Sequence, residues 1–167
     1  YINIIKLAKK KYSFESFTTK TKKPHVLWRH DVDSSIHRAL KLAKIEKKLK
    51  VKSTYFLRLH SEWYNIFEKE VYEKINKIIK LGHFIGLHFE HKFYSKYKHE
   101  FKKYIKMEKN IIENTFPTKI DAISFHQPVI KKKWTIPLDN KIIGLVNTYG
   151  KKIQKEYYYC SDSNGYW

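Results

Sequence analysis

The chain runs to 167 residues, with 35 Lys and Arg against 16 Asp and Glu for a formal charge of +19; that length suits one domain with a sizeable core. Hydrophobic residues at 42% and aromatics at 16% exclude a disordered chain, and five glycines with four prolines exclude a collagen-like or linker-dominated one. A single cysteine, Cys160, excludes an internal disulfide and a multi-cysteine zinc site, and no apolar run is long enough to span a bilayer.

Residues 26–33, Val-Leu-Trp-Arg-His-Asp-Val-Asp, read as a short strand whose end carries two carboxylates. Ser34 and Ser35 can cap a helix running to about Lys50, with Ile36, Leu40, Ala43 and Leu49 on its buried side. Residues 53–59 are β-branched and aromatic enough for a second strand. Phe67, Val71, Ile75 and Ile78/Ile79 then fall at helical spacing, with Gly82 as the residue that ends the helix. His83 to His88 reads as a third strand. A further amphipathic helix spans roughly 96–113, with Tyr97, Phe101, Tyr104/Ile105 and Ile111/Ile112 facing inward, and Pro117 closes the connection. Ile120 to Phe125 is a fourth strand, and 142–147 and 156–161 are expected as further ones. Strands alternating with helices specify a parallel α/β sheet or barrel. No repeat, low-complexity tract or linker divides residues 1–167, so the expectation is one domain.

Of the 35 basic residues 32 are lysine, and only Arg29, Arg38 and Arg58 are arginine. Base reading favours the bidentate fork of arginine, so a nucleic-acid partner is not expected. Abundant Lys, Ile, Asn and Tyr fit an AT-biased coding genome, although the charge would draw an anionic substrate or membrane surface. The chain opens at Tyr1 without a methionine and stops at Trp167, which reads as a piece of a longer protein. With no signal peptide visible, the expected placement is cytoplasmic or membrane-peripheral.

The polar residues cluster where the strands end. Asp31 and Asp33 close the first strand, His88 and His91 follow the third, and His126 follows the fourth. In parallel α/β folds the carboxyl ends of strands share one face, where sites are built. Asp31 and Asp33, two apart on an extended strand, project to the same side. Two close carboxylates repel unless a cation neutralises them, and oxygen with imidazole nitrogen suits a catalytic zinc. The plainer alternative is that the aspartates cap the next helix and the histidines are surface residues.

At these positions the chain resembles the polysaccharide deacetylases, carbohydrate esterase family four. The resemblance rests on Arg29-His30-Asp31-Val32-Asp33, Ser53-Thr54-Tyr55-Phe56 and Gly82-His83-Phe84-Ile85-Gly86-Leu87-His88. Ser124-Phe125-His126-Gln127-Pro128 and Ser161-Asp162-Ser163-Asn164-Gly165-Tyr166-Trp167 complete it, in the family's order over residues 25–167.

The resemblance implies a distorted (β/α) barrel, here incomplete at its C-terminus. It also implies removal of an acetyl group from an N-acetylated sugar of a bacterial glycan, with zinc or another divalent metal as cofactor. Asp31 would be the base toward a metal-bound water, Asp33 and His88 metal ligands, and Asp162 and Trp167 part of the substrate wall. The backbone N–H of Val129 would help hold the oxyanion.

Three departures mark this chain. The family's second metal histidine stands four residues after the first, where this chain has Lys92; His91, three after, is the expected third ligand, with Glu90 as the alternative. An arginine that pairs with the base gives way to His126-Gln127-Pro128, where His126 or Gln127 could hydrogen-bond Asp31, and His126 joins Asp31 in the expected catalytic set. Arg29 is a substitute only if the backbone turns it inward. The family's last histidine, the acid for the leaving amine, has no match before Trp167. Trp63, Tyr64, Tyr94 and Trp134 are candidates for stacking on sugar rings. Two further readings keep the fold: a non-catalytic carbohydrate-binding relic, and a hydrolase of cyclic amides.

Overall fold

Four short segments that alternate with helices set the architecture. A computed structural model describes residues 1–130, 133–134 and 136–161, apart from the side chains at 97–99, 129–130 and 133–134. Helix α1 (Ile2–Ala8) leads to β1 (Ser13–Phe14), β2 (His25–Val26) and β3 (Arg29–Val32). Then come α2 (Ile36–Lys48), β4 (Thr54–Leu57), α3 (Lys69–Lys80) and β5 (Phe84–Phe89). A 3-10 turn at Ser95–Glu100 runs into α4 (Phe101–Thr115), followed by β6 (Ala122–Phe125), β7 (Val129–Ile130) and β8 (Lys133–Trp134). The described chain closes with β9 (Lys141–Ile142), β10 (Leu145–Asn147) and α5 (Lys151–Glu156). None of the helices described is long and apolar enough to cross a membrane.

The main sheet has the order β3-β4-β5-β6-β10-β9. Its first five strands pair in parallel and only β9 runs antiparallel, against β10. The class is therefore α/β with a mostly parallel six-stranded sheet, each of α2, α3 and α4 linking two neighbouring strands. Because paired residues share a face and successive residues alternate, the register sorts the side chains into two sets. Tyr55, Leu57, Ile85, Leu87, Phe89, Ile123 and Phe125 join Ile36, Leu40 and Ala43 of α2, Val71, Ile75 and Ile78 of α3, and Ile105 and Ile112 of α4 in one buried core. The other set starts with the row Asp31, Phe56, Gly86. Two residues further along the strands, Asp33, Arg58 and His88 follow in the same phase, with Ser124 paired to His88.

Local chemistry explains the element ends. The Ser35 hydroxyl accepts from the Arg38 N–H at 3.3 Å and caps α2. Gly82 sits at φ 91° and its N–H donates to the Ile79 carbonyl at 2.8 Å, the left-handed stop expected after α3. Phe67 lies ahead of Lys69 where α3 begins and is exposed, so the buried stripe starts at Val71. The expected strand 142–147 is instead a hairpin: Ile143 and Gly144 both take positive φ, 46° and 86°, and turn β9 back into β10. The expected strand 156–161 is also revised. Only Glu156 of that stretch is helical, as the last residue of α5, whose Lys-Lys-Ile-Gln-Lys-Glu is mostly straight-chain helix formers; residues 157–160 lie in no helix or strand and Ser161 makes a single bridge.

One buried carboxylate ties α2 to the sheet. Glu46 is fully buried; its Oε1 accepts from the Tyr1 hydroxyl and from His30 Nε2 at 2.6 Å, and its Oε2 from the Tyr55 hydroxyl at 2.5 Å. His83 Nδ1 stands 3.6 Å away, accepting from the Ser53 N–H while Nε2 donates to the Ala43 carbonyl. Burial works against the charge of Glu46, but His30 and the two phenols outweigh it and hold the carboxyl below its ordinary value.

Two outcomes test this packing. A Cβ at Gly86 would sit 2.4 Å from two ring carbons of Phe56, so Gly86→Ala should cost about 1–3 kcal/mol in a urea titration, partly recovered by adding Phe56→Leu. Glu46→Gln should cost about 1.5–3 kcal/mol at neutral pH, the range for hydrogen bonds to a charged group. A lowered folded-state pKa contributes stability that is complete above the ordinary value of 4.5 and lost as pH falls through the lowered one. The gap between wild type and Glu46→Gln should therefore narrow in acid, as followed by urea midpoints against pH.

Candidate active site

The end of β3 is built to present carboxylates. Arg29 and Asp31 alternate with His30 and Val32, so the strand puts the first pair on one side while His30 anchors to Glu46 on the other. After Val32 the chain turns tightly, the Asp33 N–H donating to the Asp31 carbonyl at 3.1 Å. From the segment after β4, the Ser61 hydroxyl donates to the Asp33 carbonyl at 2.8 Å, which fixes the backbone and leaves the carboxylate half exposed.

The structure brings Asp33, His88 and His126 to one place. His88 Nε2 lies 3.1 Å from Asp33 Oδ1, and His126 Nε2 lies 3.8 Å from the same oxygen. The two imidazole rings meet edge to face with centroids 5.5 Å apart. Burial raises the Asp33 carboxyl, but the hydrogen bond and charge of His88, with His126 and Arg58, hold it below its ordinary value. The His88 Nδ1 is buried with no hydrogen-bond partner among the described residues.

Asp31 has a separate set of partners. Its Oδ2 accepts from the Ser124 hydroxyl at 3.1 Å and pairs with the Arg29 guanidinium at 3.3 Å; its Oδ1 is buried with no hydrogen-bond partner among the described residues. The backbone does turn Arg29 inward, and Arg29 also donates to the Tyr149 hydroxyl at 2.9 Å. Its guanidinium carbon lies 4.9 Å from the Tyr149 ring centre and 5.6 Å from that of Tyr159. Burial opposes the charge on Arg29, yet Asp31 prevails and pushes its pKa up. His126 therefore stands beside Asp33 and not in the pair that holds Asp31.

The remaining site residues of the sequence reading fall as follows. His91 is buried, edge-on to Phe125 with centroids 6.4 Å apart and against the backbone of His126. Burial holds its ring below the ordinary histidine value, which Glu90 only partly opposes. Glu90 is engaged by Arg58 at 2.8 Å and by His126 Nδ1 at 2.5 Å, both on Oε2. Lys92 donates to the Gln127 side chain. Asp162 and Trp167 lie outside the described residues, as does the side chain of Trp134; Val129 is described only in its pairing with Trp134.

Among the proposed stacking aromatics, Tyr64 and Tyr94 are packing residues. The Tyr64 hydroxyl donates to the Val32 carbonyl and accepts from the Arg58 N–H, and Tyr94 is stacked between Phe89 and Tyr104. Trp63 is 70% exposed, two residues after the Ser61 that touches Asp33. Sequence reasoning missed three contributors: Ser124 on Asp31, Tyr149 on Arg29, and the Arg58–Glu90 pair. Arg58 was legible in principle, since it stands one residue past β4 at the end where the other site residues gather.

Two ligands about 2.0–2.1 Å from a tetrahedral zinc stand roughly 3.3 Å apart. Asp33 Oδ1 and His88 Nε2 have that spacing, at 3.1 Å, and His126 Nε2 is about half an ångström beyond it. Among the described residues, no group of three or more His, Cys, Asp or Glu side chains is placed to hold a metal ion. The donor types nevertheless suit a borderline divalent ion. Comparison of the chain with protein-family models, curated proteins and solved structures finds no match.

Proposed function

We propose that the chain is a metal-dependent hydrolase that releases acetate from an N-acetylated sugar of a bacterial glycan, as a divergent polysaccharide deacetylase. Its sheet would then be the wall of that family's distorted (β/α) barrel. The observation that carries the reading is the juxtaposition at one rim of the Asp33–His88 pair, 3.1 Å apart, and a separately held carboxylate, Asp31.

Asp33 and His88 would hold the divalent ion, and zinc is the favoured one. When bound, such an ion lowers the pKa of a water toward about 7 and polarises the acyl oxygen. Asp31 would take the proton of the attacking water. Arg29 and Ser124 occupy its Oδ2, so Oδ1 is the atom left to receive that proton. Arg29 thereby does the work of the arginine that His126 replaces, holding the carboxylate in its orientation between turnovers. Trp63, whose backbone N–H donates to the Ser61 hydroxyl, offers an exposed ring for the apolar face of a sugar. Asp162 and Trp167 are assigned to the substrate wall by the resemblance alone.

The test separates binding from chemistry. Purified wild type offered zinc should take up one equivalent, by elemental analysis, and release acetate from N-acetylated oligosaccharides. Asp33→Ala and His88→Ala should lose zinc. Asp31→Asn should keep it while acetate release falls about 10²–10⁴-fold, the share typical of a general base. Wild type that takes up no zinc, or an Asp31→Asn variant with full activity, would overturn the reading.

A further inference from the structure

Glu90 is the acidic residue that the motif spacing offers as a metal ligand, and its carboxylate is already engaged. Its Oε2 accepts from the Arg58 guanidinium at 2.8 Å and lies 2.5 Å from His126 Nδ1; both the arginine and the glutamate side chains are largely buried. A carboxylate oxygen that accepts from a guanidinium is an acceptor toward its other neighbour too. The hydrogen between Glu90 and His126 therefore belongs to Nδ1. That leaves His126 Nε2 as the nitrogen facing Asp33 Oδ1 at 3.8 Å, while His88 Nε2 approaches the same oxygen at 3.1 Å. His91 is held elsewhere, against Phe125 and the backbone of His126.

We infer that Glu90, anchored by Arg58, is the positioning residue that fixes the Nδ1–H tautomer of His126 and aims its Nε2 at Asp33, so that His126 and not His91 completes the polar set with Asp33 and His88. An imidazole that ligates a metal through one nitrogen commonly donates its other N–H to a carboxylate, which sets both tautomer and ring orientation. Here the arrangement is one link longer. The loop after β4 supplies the arginine, β5 leads into the glutamate, and β6 leads into the histidine. The role in metal binding rests on the hydrolase reading; the tautomer does not.

The test uses nitrogen-15 NMR of His126 in the metal-free full chain, together with zinc affinity by chelator competition. Removing Glu90 alone would strand the Arg58 guanidinium, so the disrupting variant is the double change Arg58→Met with Glu90→Leu, with thermal melting to confirm that it folds. Glu90→Gln is the conservative partner, because an amide oxygen can occupy the place of Oε2. At a pH high enough for the ring to be neutral, wild type and Glu90→Gln should show the Nδ1–H tautomer. The double variant should lose it and bind zinc about 10–100-fold more weakly. His126→Ala should weaken zinc binding more than His91→Ala.

An Nε2–H tautomer in wild type would overturn the inference. So would a double variant unchanged in both measurements, or zinc binding lost in His91→Ala but kept in His126→Ala. A fixed Nδ1–H tautomer in a wild type that binds no zinc would uphold the positioning role of Glu90 and overturn the hydrolase reading instead.

Discussion

Everything at the rim depends on the in-register parallel pairing of β3, β4, β5 and β6. With Asp31 opposite Phe56 and Phe56 opposite Gly86, the side-chain alternation of each strand is locked to that of its neighbour. A slip of one residue in β3 would send Asp31 toward α2 and bring His30 to the rim. The slip is opposed from both faces. On the helix side His30 reaches the buried Glu46; on the other, Arg29 and Ser124 hold Asp31. The missing side chain at Gly86 belongs to the same constraint, since the Phe56 ring lies across that position. The site is thus a property of the sheet, and only its outer parts belong to loops.

Charge within the molecule follows a different rule from charge on it. The surplus of +19 is carried almost wholly by lysine, whose strongly hydrated ammonium favours the surface. Two of the three arginines stand instead beside carboxylates at the site, Arg29 with Asp31 and Arg58 with Glu90. The guanidinium is more weakly hydrated and presents several donors in a fixed plane, so it loses less on partial burial. Asp31 and Glu90 consequently each have their own compensating arginine, while Asp33 is hydrogen-bonded by His88. Asp31 and Glu90 can share one rim because each is neutralised locally, not because the overall charge is positive.

Much of the fold was legible because it is periodic. The helical stripe Val71, Ile75, Ile78, the Ser35 cap and the Gly82 stop are short-range signals, and each appears where the spacing puts it. Two stretches depart from the expected strands. A turn at Ile143–Gly144 needs positive φ at a β-branched residue, which the sequence disfavours and the pairing of β9 with β10 imposes. The stretch 156–161 carries the β-favouring Tyr157, Tyr158 and Tyr159, yet residues 157–160 join no strand. The candidate site was legible to the same degree. Asp31, Asp33 and His88 were found from strand ends, whereas the choice among Glu90, His91 and His126 turns on side-chain partners from three different strand ends.

By itself the sequence determined an alternating α/β chain with acidic and imidazole residues at successive strand ends, because strand and helix periods and turn chemistry act over a few residues. Only the tertiary structure decided which of those residues meet. It put Arg29 on Asp31, Arg58 on Glu90 and His126 beside Asp33, and it buried His91 against Phe125. The physical reason is that a hydrogen bond depends on tenths of an ångström between groups as far apart as Arg29 and Tyr149, 120 residues along the chain. Such distances are set by how strands pair and helices pack, and no spacing along the chain encodes them.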